Sequence, residues 1–288
     1  MRPLWLAGLA LSVACTATSP APPNSEPSKA TTPSKTKAAS PIDAATTTEP
    51  APKRAAGPVP AASTQLIVSR SDGWKGTDAV LQRFERDPGS AWRPIGDPIA
   101  STLGRTGLGW GRGLHTAVSE SDPVKHEGDG RSPAGVFRIT NSYGYDDAPK
   151  NTKLPFQQVS RSWRCVNDSQ SKHYNKVLDS KGMDIDWSEA ENMRRRDHLY
   201  ELVIEVDHNH IQRDVATPTP GDGSCIFLHV WRRPGAPTIG CTAMPLEDMQ
   251  ALLAWLSPEA APVLIALPAK RYDALRTEWD LPTIETTR

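Results

Sequence analysis

Two residues in the last third of the chain have the types and spacing for covalent chemistry. His229 lies in the apolar run Cys225-Ile-Phe-Leu-His229-Val230. Cys241 follows behind Trp231-Arg232-Arg233-Pro-Gly-Ala-Pro-Thr238-Ile-Gly240. A thiolate attacks acyl carbons, and a neighbouring imidazole generates one near neutral pH. Taken singly, each residue has a plainer reading. A free cysteine is most often a small buried hydrophobe, and a histidine in an apolar strand is usually a satisfied core residue. Cys241, however, follows Gly240, where backbone approaches closely, and sits in a turn ahead of a helical pattern. The Pro/Gly turn can bring it back toward His229.

The elements that must position this pair are mostly strands. Gln65–Arg70, Ile99–Leu103, Gly135–Thr140, Leu199–Val206 and Cys225–Val230 read as strands, and Ala261–Leu267 as a closing one. Ala79–Arg86 and Ala91–Ile95 flank Asp87-Pro-Gly-Ser, a hairpin turn. Leu199–Val206 is almost continuously apolar, which predicts a central strand buried on both faces. Alternation along Cys225–Val230 puts Cys225, Phe227 and His229 on one face, and Ile226, Leu228 and Val230 on the other. Two helices are predicted. Ser188–His198 opens on a capping-box pattern with Glu191. Pro245–Leu256 starts at proline and stops before Ser-Pro. Strands with helices at intervals predict a mainly β domain with short helices, spanning residues 64–284.

The N-terminal fifth is different. Arg2 precedes an apolar stretch, Leu4–Ala14, too short to span a bilayer, and then Cys15. Leu11-Ser-Val-Ala14-Cys15 resembles a bacterial lipoprotein signal, so that residues 1–15 read as a signal peptide with its lipobox cysteine; the resemblance implies that Cys15 is lipidated and becomes the mature N-terminus. An ordinary secretion signal cut near Ala17 is the alternative. Either one exports the protein. Residues 16–63 are dominated by Ala, Pro, Thr, Ser and Lys and read as a disordered linker. A flexible linker of that length averages about 40 Å end to end. The chain balances 33 basic against 33 acidic side chains. That balance excludes the general nucleic-acid and membrane-coating classes, which need a basic excess.

Four cysteines must be accounted for in an exported chain. With Cys15 lipidated, a Cys165–Cys225 disulfide would clip an irregular polar stretch to the strand carrying His229 and leave Cys241 free. Other pairings, or three free thiols, remain open at this level.

The residues from His229 to Cys241 resemble the L,D-transpeptidases, bacterial cysteine enzymes that cross-link peptidoglycan. The family pattern is a histidine, a spacer and Ser/Thr-x-Gly-Cys; here these are His229, Thr238, Gly240 and Cys241. A second stretch matches the family's Gly-Asp-Gly motif: His126-Glu-Gly128-Asp129-Gly130-Arg131-Ser-Pro133-Ala-Gly135-Val-Phe137. Trp110-Gly-Arg-Gly-Leu-His115 fits upstream. The resemblance covers about residues 64–270 and implies an L,D-transpeptidase-like β-sandwich with a mixed sheet. It implies attack by a Cys241 thiolate, formed by proton transfer to His229, on a tetrapeptide stem. D-alanine is released and a thioester forms, to be resolved by an amine or by water. The Val230 carbonyl would orient the imidazole. The Cys241 and Gly240 N–H groups would hold the oxyanion. Arg232, Arg233, Trp231 and Thr238 are the candidate substrate-binding residues, with the arginines suited to stem carboxylates. The chain departs from the family in a shorter spacer, in Thr242-Ala-Met244 where an arginine usually follows the cysteine, and in an insertion from about Cys165 to Asp197.

Neither a cofactor nor a metal is implied. Gly128, Asp129 and Gly130 read as a tight turn rather than a phosphate cradle, since no Gly-Lys-Ser/Thr follows. Asp207-His208-Asn-His210 places two histidines on one strand face, the start of a zinc-hydrolase set, but without an established ligand spacing. The expected partners are peptidoglycan stem peptides, with a membrane met only through the lipid on Cys15 and the periplasm or wall as the location. A hydrolase of the same fold and a non-catalytic wall-binding lipoprotein are the competing readings.

Overall fold

A computed structural model describes residues 57–116, 121–210 and 217–284. The signal, Cys15 and residues 16–56 of the expected linker lie outside the described residues. Residues 57–63, assigned above to the linker, pack on the domain. Ser63 is fully buried and its carbonyl accepts from Arg86 Nε at 2.8 Å. Among the described residues, no helix is long and apolar enough to cross a membrane.

The chain folds mainly as strands. In order they are β1 (Gln65–Ser71), β2 (Asp78–Glu85), β3 (Arg93–Thr102), β4 (Leu108–Trp110), β5 (Ser132–Gly144) and β6 (Phe156–Gln158). Then come β7 (Trp163–Val166), β8 (Val177–Asp179), β9 (Ala190–Asn192), β10 (Leu202–Val206), β11 (Phe227–Val230) and β12 (Thr242–Met244). The helix α1 (Leu246–Trp255), a single 3₁₀ turn, β13 (Val263–Pro268) and α2 (Ala269–Leu275) complete the fold. The large mixed sheet runs β10-β11-β12-β3-β2-β1-β13-β5-β4, and β10 also pairs with β5. That extra pairing closes the sheet into a barrel-like ring. A separate sheet, β8-β7-β9, is built from the insertion.

Burial explains the apolar runs. On β1, Ile67 faces one core while Leu66 and Val68 face another; on β13, Leu264 faces the first while Val263 and Ile265 face the second. Leu66–Val68 of β1 and the whole of β13 therefore read as unbroken hydrophobic sequence. Helix α1 seals the first core with Met249, Leu252 and Leu253, and with Leu256 just beyond it. That i, i+3, i+4, i+7 spacing gives one apolar stripe, each residue contributing about 1.5–3 kcal/mol on burial. Tyr272 and Leu275 of α2 cover the second core.

Three local expectations change. Ala91–Ile95 and Ile99–Leu103 are parts of one strand, β3, kinked at Gly96 (φ +64°) opposite a register shift between Leu81 and Arg83. No helix forms at Ser188–His198. Ser188 donates both its N–H and its hydroxyl to Asp168, and Glu191 accepts from Tyr200 Oη at 2.6 Å, so the intended capping residues are used in tertiary contacts. Only Met193 of that segment is buried, too little apolar surface to dock a helix. Finally, β10 stops at Val206, so His208 and His210 share no strand face. His208 is buried against Asp222 O, while His210 approaches Asp207 at 3.6 Å. Among the described residues no group of His, Cys, Asp and Glu could hold a metal ion.

Candidate active site

The pair His229 and Cys241 is brought together by a parallel strand pairing. In the β11–β12 ladder Leu228 lies opposite Thr242 and His229 opposite Ala243, so Cys241, one residue before β12, stands level with Phe227. His229 and Cys241 line the same pocket, of about 150 Å³. The faces divide as alternation predicts: Leu228 and Val230 enter the main core, while Cys225, Phe227 and Cys241 join a third cluster behind the site.

His229 Nδ1 lies 2.8 Å from Val230 O. A carbonyl can only accept, so Nδ1 carries the proton and Nε2 keeps its lone pair. The Cys241 sulfur is 3.5 Å from Cys225 O, which accepts the thiol proton. Burial pushes the Cys241 thiol up to about 12, and the negative charge of Glu191 adds to this. Burial also draws His229 down to about 4, against the hydrogen bond to Val230. Removal from water thus disfavours the charged form of both groups.

Cys225 takes a left-handed conformation (φ +56°) that non-glycine residues rarely adopt. It is held there by the Cys165–Cys225 disulfide and by Asn175 Oδ1, which accepts the Cys225 N–H at 2.9 Å. The same geometry turns the Cys225 carbonyl to the nucleophile, and the one free cysteine among the described residues is Cys241.

The Cys241 carbonyl is gripped from two sides. Ser132 Oγ donates to it at 2.9 Å and Thr238 Oγ1 at 2.6 Å. Each hydroxyl also accepts a backbone N–H, from Gly104 at 2.9 Å and from Gly240 at 3.1 Å. Two expectations are revised here. Thr238 lines the pocket, but its hydroxyl is spent on positioning the nucleophile. The Gly240 N–H is directed at Thr238, which removes it from the expected oxyanion donors. Gly240 has φ +153°, and a β-carbon there would stand 3.2 Å from Arg131 O. The Gly-Asp-Gly segment forms a turn beneath this grip. Burial works against the Asp129 carboxylate, yet hydrogen bonds from Lys125 and from the N–H groups of Arg131 and His126 hold it below the usual range.

Of the other candidates, Arg232 lines the pocket mouth and lies 3.9 Å from Asp197. Trp231 and Arg233 do not line it. Trp231 is fixed by its main chain, its N–H donating to Met244 O, and Arg233 opens an exposed turn closed by the Ala236 N–H. Sequence reasoning missed Tyr200, Arg195 and Ser132. Tyr200 meets the His229 ring edge-on at 5.3 Å and donates to Glu191, whose acidity burial lowers. Arg195 lines the pocket and sits over Tyr200 at 5.1 Å. Arg195 comes from the segment misread as a helix, and Tyr200 from the start of the run read as a strand, just ahead of β10. Ser132 was visible only as the residue following Arg131 in a motif read as a turn.

A ring of mixed strands brings a buried cysteine and histidine to one cleft. The model of the L,D-transpeptidase catalytic domain (YkuD) matches residues 102–265, and the chain belongs to that family. A comparison with curated proteins finds no match.

Proposed function

We propose that the protein is a peptidoglycan L,D-transpeptidase acting through a Cys241 thioester. The observation that carries this is the parallel β11–β12 ladder that brings His229 and Cys241, just ahead of β12, to one pocket, with Nδ1 tied to Val230 O so that Nε2 is the base.

Burial disfavours charge on either group before attack, so the thiol proton passes to His229 Nε2 as the sulfur attacks the carbonyl of the stem's L-centre. The new S–C bond forms while the carbonyl π electrons move to oxygen. The Cys241 N–H is the oxyanion donor, a role worth about 3 kcal/mol per donor in comparable sites. Collapse expels D-alanine, whose nitrogen takes the proton from His229. A neighbouring stem's amine then attacks the thioester, giving up its proton through His229 and restoring the thiol. An environment that sustains the Cys165–Cys225 disulfide supports action outside the cytoplasm, in keeping with an exported lipoprotein anchored through Cys15.

The test is incubation of the full chain with purified muropeptides and mass spectrometry of the products. The expected result is D-alanine release with new cross-links, abolished by Cys241→Ala. Identical products from that variant would sink the enzyme reading. D-alanine or stem fragments without cross-links would replace transfer by hydrolysis.

A further inference from the structure

The pocket mouth is lined by two arginines, Arg195 and Arg232. Arg195 Nε and Nη2 donate to the two carboxylate oxygens of Asp197, at 2.9 and 3.1 Å. Arg232 Nη2 lies 3.9 Å from the same carboxylate. Two guanidinium groups thus converge on one carboxylate where both arginines line the cleft beside His229 and Cys241.

Arg195 is also held in advance. Its bidentate contact fixes the plane of the guanidinium, and Tyr200 lies under it. Only two of its five N–H groups are used by Asp197, so the others remain to bind a second carboxylate in a fork. Asp197 is itself pinned, its Oδ1 accepting the Leu199 N–H at 3.2 Å. The run Arg194-Arg195-Arg196 divides its labour: Arg194 turns to the main-chain carbonyls of Tyr145 and Val159, leaving Arg195 at the pocket. The position just after the nucleophile is neutral and buried, occupied by Thr242 and Ala243. Cationic recognition therefore comes from the inserted segment and from the β11–β12 connection.

We propose that Arg195, supported by Arg232, binds a carboxylate of the acyl-donor stem and selects donors that carry one; this rests on the transpeptidase reading above. Two carboxylates could supply the same chemistry: the terminal carboxylate of the leaving D-alanine, and the side-chain carboxylate of the diaminopimelate.

The experiment uses the full chain and three synthetic tetrapeptide donors: the free acid, the terminal amide, and the side-chain amide. D-alanine or D-alaninamide release gives kcat and KM for wild type and Arg195→Gln. With the free acid, Arg195→Gln is expected to lower kcat/KM by about 10- to 100-fold, the range for a hydrogen-bonded charge. Amidating the recognised carboxylate should cost wild type a similar factor and cost Arg195→Gln almost nothing more. Amidating the other carboxylate should affect both proteins equally, which identifies the source. Equal fold-losses in both proteins for both amides would overturn the proposal. Arg232→Gln, at an exposed side chain, should show the same pattern more weakly, so the idea survives a folding defect in the first variant. No turnover of any donor by wild type would instead overturn the underlying Cys241 reading.

Discussion

The grip on the Cys241 carbonyl predicts a specific non-additivity. Ser132 and Thr238 share one acceptor, and each satisfies a different backbone N–H. Thr238→Val keeps the branched shape but strands the Gly240 N–H; Ser132→Ala strands the Gly104 N–H. Either change alone leaves the carbonyl one hydroxyl donor, so each should cost about 1–3 kcal/mol. Together they also leave the carbonyl without either hydroxyl, adding a further ~1–2 kcal/mol beyond the sum. Urea denaturation of the four proteins of the cycle measures this directly. The alkylation rate of Cys241 by iodoacetamide reports whether the nucleophile has lost its fixed position, and should change most in the double variant. If the stability losses add to within about 0.5 kcal/mol, the two hydroxyls do not act on one carbonyl and the reasoning fails.

Three other outcomes are expected. Reducing the Cys165–Cys225 disulfide, which spans 60 residues, should remove about 4 kcal/mol of stability by the loop-entropy relation and slow turnover; an unchanged melting curve after verified reduction would contradict this. His208 and His229 are lowered by burial to about 3 and about 4, so their neutral forms stabilise the fold fully above the unfolded value of 6.5. As pH falls from 6.5 toward 4 the pair should withdraw up to ~3 kcal/mol per pH unit, and denaturation midpoints flat across that window would exclude buried neutral histidines. Gly240→Ala forces a β-carbon into a left-handed φ beside Arg131 O and should cost ~1–3 kcal/mol, with a larger proportional fall in kcat; retention of full activity would show that the turn before Cys241 tolerates rearrangement.

The parts of this fold legible in the sequence are those where one physical pattern dominates. The strand runs at Gln65, Leu202 and Val263 are apolar because both faces are buried, and α1 carries a regular stripe. Alternation along Cys225–Val230 gave the correct partition of faces. The insertion was misread because its side chains serve distant partners: Glu191 looks like a helix cap locally, yet it belongs to Tyr200. Arg195 and Tyr200 were invisible because they lie in irregular chain between β9 and β10, where no periodicity marks them.

Because β11 and β12 are parallel neighbours, the backbone ladder sets the distance from base to nucleophile, and the connection between them does not. Its two ends are stitched down: the Trp231 N–H donates to Met244 O where it leaves, and the Thr238 N–H to Leu103 O and the Arg105 N–H to Thr238 O where it returns. The stretch from Arg232 to Pro237 is therefore an exchangeable wall. It can be lengthened or rewritten at little entropic cost, about 0.6 kcal/mol per doubling, without moving the reacting atoms. Donor preference and bond-making chemistry can then be altered independently, which makes this connection the natural place to graft a new specificity onto an unchanged catalyst.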